Sequence, residues 1–469
     1  MRRLSFPIVL IFPLLFQTLL AETSDFTGFW EGPHPNDPHK KFYIQVVDSS
    51  GIIGAHGFWT ENRFYSSEFR VDSLTIHSDS VRFFIPQWEC FFRGKKINGN
   101  RITGGFDCVG DPFDAVSLKR NNNAAQFLTL PVPDYNGSDY QYRYHKPVSE
   151  SELTTGRFES SGDSLFIYSL LPRIIRGEYG RLNSFLLLKN NRLICEEYYY
   201  GYTADDLHFI ESSTKSITSL LIGIAMDRGF ITDLQTPIYT YFPEYIHLQE
   251  GQYKDISLEY LLTMTSGFNI QNDATFKSDN RIEYALQRDL AATPGTQFAY
   301  DGGNTEILGG IIWESTGMFA DEFARQYLFE SLGITSLNWE ANKQDGFPCM
   351  GGSLQLRPRD MAKIGLLVQN RGKYNHKQII SEQWIQKSTS FKTTTHIMGD
   401  DYAYHWWVLT LESADSRYRT IWANGWGSQF IYIIPEINAV IVTTGYNYEH
   451  DSWGITDGIR EYLHFLDGE

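Results

Sequence analysis

Glu211-Ser212-Ser213-Thr214-Lys215 opens an apolar, helix-patterned run from Ile217 to Phe230, and nowhere else in the chain is a serine followed three residues later by a lysine. On a helix, positions i and i+3 share one face about a turn apart, so Ser212 Oγ and Lys215 Nζ can meet. A serine hydroxyl alone is a weak nucleophile; a lysine in a partly dry site can serve as its base or electrostatic activator. The start of a helix adds unpaired N–H groups and a positive dipole end, both suited to a developing oxyanion. The competing reading of the same residues is an N-cap serine beside a solvated lysine.

The elements that must position this turn are legible from periodicity. Ile217, Leu220, Leu221 and Ile224 share a face of the helix that Ser212 opens, and Gly229 suits its end. Ser184 to Lys189 and Arg192 to Tyr198 read as a hairpin turning at Asn190-Asn191. Helices are predicted at Ser257 to Met264, Thr305 to Glu314, Met318 to Leu328, Arg359 to Gln369 and Gly454 to Phe465. Paired strands are predicted at Gln429 to Ile434 and Ala439 to Thr443.

Ahead of this mixed region, residues 25 to 120 alternate in twos between frequent turn residues, the pattern of a small antiparallel sandwich or barrel. Cys90 and Cys108 fall in strand-like segments, Phe84 to Arg93 and Arg101 to Cys108, joined by Asn98-Gly99-Asn100, which makes them the disulfide candidates. Cys195 and Cys349 read as buried free thiols. The stretch 121–149, with Pro131, Pro133 and the sequon Asn136-Gly137-Ser138, reads as a linker.

The 469 residues point to two folded units, and 15% aromatic against 20% charged residues describes a packed globular protein. Residues 1–21 read as an export signal: Arg2 and Arg3, an apolar core from Ile8 to Leu20, then Ala21. A periplasmic or secreted protein without a stable membrane span is therefore expected. The formal charge of −16 disfavours nucleic acid and anionic membrane surfaces as partners. Twelve histidines without a ligand-like spacing give no metal centre, and no cofactor is expected. There is no Gly-x-Ser-x-Gly elbow, and Gly162-Asp163-Ser164-Leu165, the tetrapeptide of another esterase family, has no buried strand before it and no Asp-x-x-His near the C-terminus to accompany it.

Ser212-Ser213-Thr214-Lys215-Ser216-Ile217, Leu261-Leu262-Thr263-Met264-Thr265-Ser266-Gly267-Phe268, Phe298 to Gly309 with Tyr300 at its head, and Gly351 to Gly365 occur in this order. Together they resemble the serine β-lactamase and penicillin-binding-protein superfamily. The likeness is closer to the class C branch and, within it, to esterase-like and nylon-oligomer-hydrolase-like members. It covers residues 150–469. The resemblance implies an α/β (α+β) unit: an antiparallel sheet flanked by helices plus a helical subdomain, here preceded by a small all-β domain at 22–120. It implies Ser212 as nucleophile, Lys215 as proton acceptor or electrostatic activator, and Tyr300 as the phenol that returns a proton to the leaving group.

Two positions depart from the lactam-binding pattern. Gly302 stands where those relatives carry asparagine, and the basic triplet of the edge strand is replaced by Ala423-Asn424-Gly425, or Gly425-Trp426-Gly427. Without the cation a substrate carboxylate has no clamp, so poor penicillin turnover is expected. The second oxyanion donor is expected among the backbone N–H groups from Gly425 to Ser428. The expected activity is hydrolysis of an ester or amide in a small-molecule or peptide-like substrate. Penicillin-binding peptidase or β-lactamase activity, and a non-catalytic sensor on the same fold, are the alternatives. His405-Trp406-Trp407, following Tyr402 and Tyr404, fits either an apolar substrate wall or core packing.

Overall fold

The computed structural model describes residues 26–34, 37–49, 52–60, 66–85, 90–108, 113–121, 145, 147–149, 153–395, 397, 401–413, 416–448 and 453–467. Residues 1–21, expected as an export signal, most of the expected linker at 121–149 and the sequon lie outside them. The chain divides into two compact units, Met1–Val132 and Pro133–Glu469.

The first unit holds one nine-stranded sheet. Its spatial order is Ser66–Arg70, Ile52–Thr60, Asp37–Ser49, Gly28–His34, Phe113–Arg120, Arg101–Cys108, Cys90–Asn98, Ser80–Ile85 and Asp72–His77. Neighbours are antiparallel throughout. The sheet curls: Phe42 and Phe106 lie three strands apart in the order, yet their ring centroids are 5.5 Å apart. A flat sheet would separate such strands by about 14 Å. Trp30, Phe42, Ile44, Phe83, Phe92, Ile102, Phe106 and Leu118 fill the concave side, so one curled sheet takes the place of a two-sheet sandwich. The segment Phe84 to Arg93, expected as one strand, belongs to two, Ser80–Ile85 and Cys90–Asn98. Cys90 stands opposite Cys108 in the register and is disulfide-bonded, while Cys195 and Cys349 are free.

The second unit is built on an eight-stranded antiparallel sheet. The order is Arg192–Tyr198, Leu182–Lys189, Ala439–Gly445, Gln429–Ile434, Arg417–Gly425, Trp407–Glu412, Asp401–Tyr402 and Thr393–Thr394. The Asn190-Asn191 turn takes φ of 48° and 63°, the left-handed pair a two-residue hairpin with matching twist needs. Helices cover both faces. Pro358–Gln369 packs on the face that Ile431 and Val440 present, with Gly365 against both. Gly454–Asp467 lies on the opposite face, where Tyr432 meets Thr456 at 2.8 Å between hydroxyls. Ser161–Ile175 joins it there, Phe166 stacking on Tyr462 at 4.5 Å. Asp163 is the N3 carboxylate of that helix's capping box with Ser160, a structural role for the Gly-Asp-Ser-Leu tetrapeptide.

The helix Ser213–Asp227 is buried along nearly its whole length, Ser213 through Ala225, rather than on the one face its periodicity suggested. Arg228 caps it, with Gly229 following at φ 75°. The segment Met318 to Leu328 is shorter in its α part than expected, Ala320–Ala324, and continues as a π-turn over Arg325–Phe329. No helix among the described residues is long and apolar enough to cross a membrane.

Behind Tyr300, Asp301 caps the helix Gly302–Thr316 through the Gly303 N–H at 3.0 Å. Arg288 Nη1 donates to the other Asp301 oxygen at 2.8 Å, and both side chains are 1% exposed. Removing one member of such a pair strands a buried charge. Arg288→Met is therefore expected to destabilise the second unit by about 3–5 kcal/mol in urea unfolding followed by tryptophan fluorescence; a loss below about 1 kcal/mol contradicts this role.

Candidate active site

Ser212 directly precedes the helix Ser213–Asp227 with helical backbone angles, φ −61° and ψ −11°, and its side chain caps nothing. The capping alternative is thus excluded. Its hydroxyl instead accepts from Lys215 Nζ at 3.0 Å. Lys215 is 4% exposed, so the solvated-lysine alternative fails too. Nζ also donates to the Gly351 carbonyl at 2.6 Å and stands 5.1 Å from the centre of the Tyr300 ring. The serine, the amine and the phenol expected from the sequence therefore share one site. Glu211, just before Ser212, takes φ 49°, a left-handed conformation costly for a residue with a Cβ and one that often marks functional turns.

Tyr300, half-buried, is held by a wall of rings: its centroid lies 5.5 Å from Trp407 and 6.2 Å, edge-on, from Tyr402. Tyr402, Tyr404, His405, Trp406 and Trp407 are all buried, so this segment is core packing that backs the site rather than an exposed substrate wall. Burial and the neighbouring Tyr300 push the Tyr402 phenol well above its ordinary range. His405 lies under the helix that carries Lys215, its Nδ1 3.3 Å from the Lys215 carbonyl and its Nε2 3.2 Å from the Leu261 carbonyl. Burial first, and Lys215 second, lower its pKa to about 3, so it serves as a neutral strut.

The segment Gly425 to Ser428 reaches the Ser212 turn by backbone packing. A Cβ on Gly425 would sit 2.2 Å from the Ile210 carbonyl oxygen, and Ser213 Oγ donates to the Gln429 carbonyl at 2.7 Å. The strand Arg417–Gly425 is not at the sheet edge as expected: Trp407–Glu412 pairs with it from Trp422 to Arg417. That pairing stops at Trp422, so Ala423, Asn424 and Gly425 pair only with Gln429–Ile434, which leaves a local edge at the site. Gly427 and Ser428 turn with φ of 79° and 72°. Trp426 is 60% exposed and meets Tyr448 edge-on at 5.0 Å, and the Tyr448 hydroxyl donates to Glu211 Oε1, next to Ser212 in sequence, at 3.2 Å.

Gly302 heads the helix after Tyr300, and its N–H donates to Asn272 Oδ1 at 2.8 Å. A Cβ there would fall 2.6 Å from Phe276 Cζ and 3.1 Å from Asn272 Oδ1. The volume an asparagine would need is occupied by side chains from the helix Asn272–Lys277. Sequence reasoning missed Asn272, Phe276 and, deeper in, Glu306. Glu306 is buried, accepts from the Gly351 N–H at 3.0 Å, and faces the Cys349 thiol at 3.6 Å. Cys349 is not wholly buried as a residue, though its thiol is pushed up to about 12, chiefly by burial. Among the described residues no cluster of His, Cys, Asp and Glu could hold a metal.

Residues 183–448 match the Beta-lactamase family, more than half of the chain, and the protein belongs to that family. It is 24% identical over 288 residues to a 6-aminohexanoate-dimer hydrolase of Paenarthrobacter ureafaciens, covering 55% of this chain and 71% of that protein. Its fold is similar to that of a family VIII carboxylesterase, with TM-score 0.54, 16% identity and coverage of 67% of this chain and 99% of the other. The octameric penicillin-binding protein homologue from Pyrococcus abyssi gives TM-score 0.51 at 16% identity, covering 66% and 78%. The chain is thus a β-lactamase-fold protein of a family whose members include hydrolases.

Gly302→Ala is expected to cost about 1–3 kcal/mol, since Phe276 must give way; an unchanged melting temperature would show that the space is open. Burial raises the Glu306 carboxyl to about 7 from 4.5, so its ionised form costs stability. The folded state binds the proton more tightly than the unfolded chain, and stability is lost as pH rises from about 4.5 through about 7. Glu306→Gln removes that loss, and the variant should exceed the parent by roughly 3 kcal/mol above about pH 8, while the two converge near about pH 5. Equal unfolding midpoints at both pH values would contradict the assignment.

Proposed function

We propose that this chain is an exported serine hydrolase that cleaves an ester or amide through a covalent acyl-enzyme on Ser212. The observation that carries this reading is the 3.0 Å contact from Lys215 Nζ to a Ser212 hydroxyl that caps no helix. Ser212 Oγ attacks the substrate carbonyl carbon, and its proton leaves toward Lys215 and Tyr300, which relay it to the departing alcohol or amine. The carbonyl oxygen, now an oxyanion, rests on the Ser212 N–H and on one N–H from Gly425 to Ser428. Water then adds to the acyl carbon and releases the acid. No step calls for a cofactor.

The substrate lacks a carboxylate that must be clamped. Ala423-Asn424-Gly425 offers no cation, and the Gly302 position has no room for the amide that lactam-binding relatives carry. The exposed Trp426 beside Tyr448 favours an apolar or aromatic group on the substrate. The carboxylesterase and 6-aminohexanoate-dimer hydrolase among the similar proteins support hydrolysis at a carbonyl. Residues 1–21 support export to the periplasm or beyond.

On the purified chain without residues 1–21, Ser212→Ala should abolish fluorophosphonate labelling and leave thermal unfolding nearly unchanged. Lys215→Ala and Tyr300→Phe should each lower kcat/KM for short-chain p-nitrophenyl esters by about 10²–10⁴-fold, with penicillin turned over poorly. Labelling that survives Ser212→Ala would refute the nucleophile, and undiminished ester hydrolysis in Lys215→Ala would refute the activator.

A further inference from the structure

Gly351 ties two side chains to one point of backbone. Its carbonyl accepts from Lys215 Nζ at 2.6 Å, and its N–H donates to Glu306 Oε1 at 3.0 Å. A glycine has soft torsions on both sides of its Cα, so the carbonyl's direction depends on what anchors the N–H. Glu306 supplies that anchor from the helix Gly302–Thr316, whose first turn follows Tyr300. We propose that Glu306, in its ionised form, is a positioning residue that holds Lys215 against Ser212 through Gly351. The proposal rests on the Ser212 hydrolase reading and adds to it a group that sets the pH range of activity.

The surroundings of Glu306 explain why ionisation matters. Groups facing it come from three other elements: Arg281 from the helix Arg281–Leu286, Cys349 from the loop ahead of Gly351, and Lys215 from the helix Ser213–Asp227. With the Gly351 N–H, these neighbours are donors or cations. An ionised carboxylate accepts from them; a neutral acid brings a further donor among donors, and the Gly351 anchor weakens. Burial places this titration near neutrality, at about 7. The ionised form costs stability, a cost that glutamine, which like the neutral acid brings donors among donors, would not carry. A carboxyl in this position is accounted for by chemistry rather than by packing.

The test is the rate of fluorophosphonate labelling at Ser212 as a function of pH, on the chain without residues 1–21. In the parent protein the rate should fall about tenfold between about pH 8 and about pH 6, following ionised Glu306. In Glu306→Gln it should change less than about twofold over the same interval. Cys349→Ala, which keeps Glu306 but removes a hydrogen bond that lowers its pKa, should move the limb to higher pH, and it decides the matter if Glu306→Gln does not fold. The same limb in Glu306→Gln as in the parent, or an unmoved limb in Cys349→Ala, would overturn the role of Glu306 and leave the nucleophile standing. Absence of parental labelling at Ser212 would instead remove the hydrolase reading itself.

Discussion

A lysine nitrogen withdrawn from water and shared between one hydroxyl and one carbonyl is the interaction on which the rest of this site depends. Lys215 Nζ reaches Ser212 Oγ and the Gly351 carbonyl, and among the described residues it enters no ion pair with a carboxylate. Burying such a group is unfavourable unless its hydrogen bonds are made. A carboxylate partner would satisfy it but would also fix its proton. Two neutral acceptors satisfy it without an ion pair. The deeply buried helix Ser213–Asp227, the neutral His405 beneath it and the Tyr300 ring over it together define the dry volume this arrangement needs.

The second constraint is that the phenol must come from a distant part of the chain and arrive in register. Tyr300 is placed from behind by the buried Arg288 and Asp301 pair and from the side by Tyr402 and Trp407. The two tyrosines differ in environment. Tyr402 is wholly enclosed and its phenol is pushed well up, so it stays protonated and acts as a wall, whereas Tyr300 is only half-buried and open to a reacting group. Two like side chains whose ring centroids lie 6.2 Å apart are thereby given different environments by burial.

The sequence was most informative where the physics is local. Ser212 and Lys215 lie one helical turn apart, and helical periodicity places both before any tertiary contact is known. The Asn190-Asn191 hairpin and the pairing of Gln429–Ile434 with Ala439–Gly445 rest on the same kind of local rule. The class of fold was legible through ordered motifs. What was not legible depends on contacts made across long separations. Gly351 meets Lys215 across 136 positions and Glu306 across 45, and no pattern in either segment announces the meeting. Asn272 and Phe276 fill the space beside Gly302 for the same reason, and the absence of an asparagine in the motif could be read without seeing what replaced it. In the first unit, alternation on both sides of Pro86 made Phe84 to Arg93 look like one strand; Pro86 itself, which cannot donate to a central ladder, was the signal of a break.

The central claim is that one hydroxyl carries the acyl group. It is tested most directly by mixing the chain without residues 1–21 with a slowly released activated ester, quenching in acid and mapping the added mass by peptide mass spectrometry. The account predicts a single acyl adduct on Ser212, absent when the quench is delayed past turnover. An adduct on any other side chain, or hydrolysis proceeding with no adduct on Ser212 at any time, would contradict it.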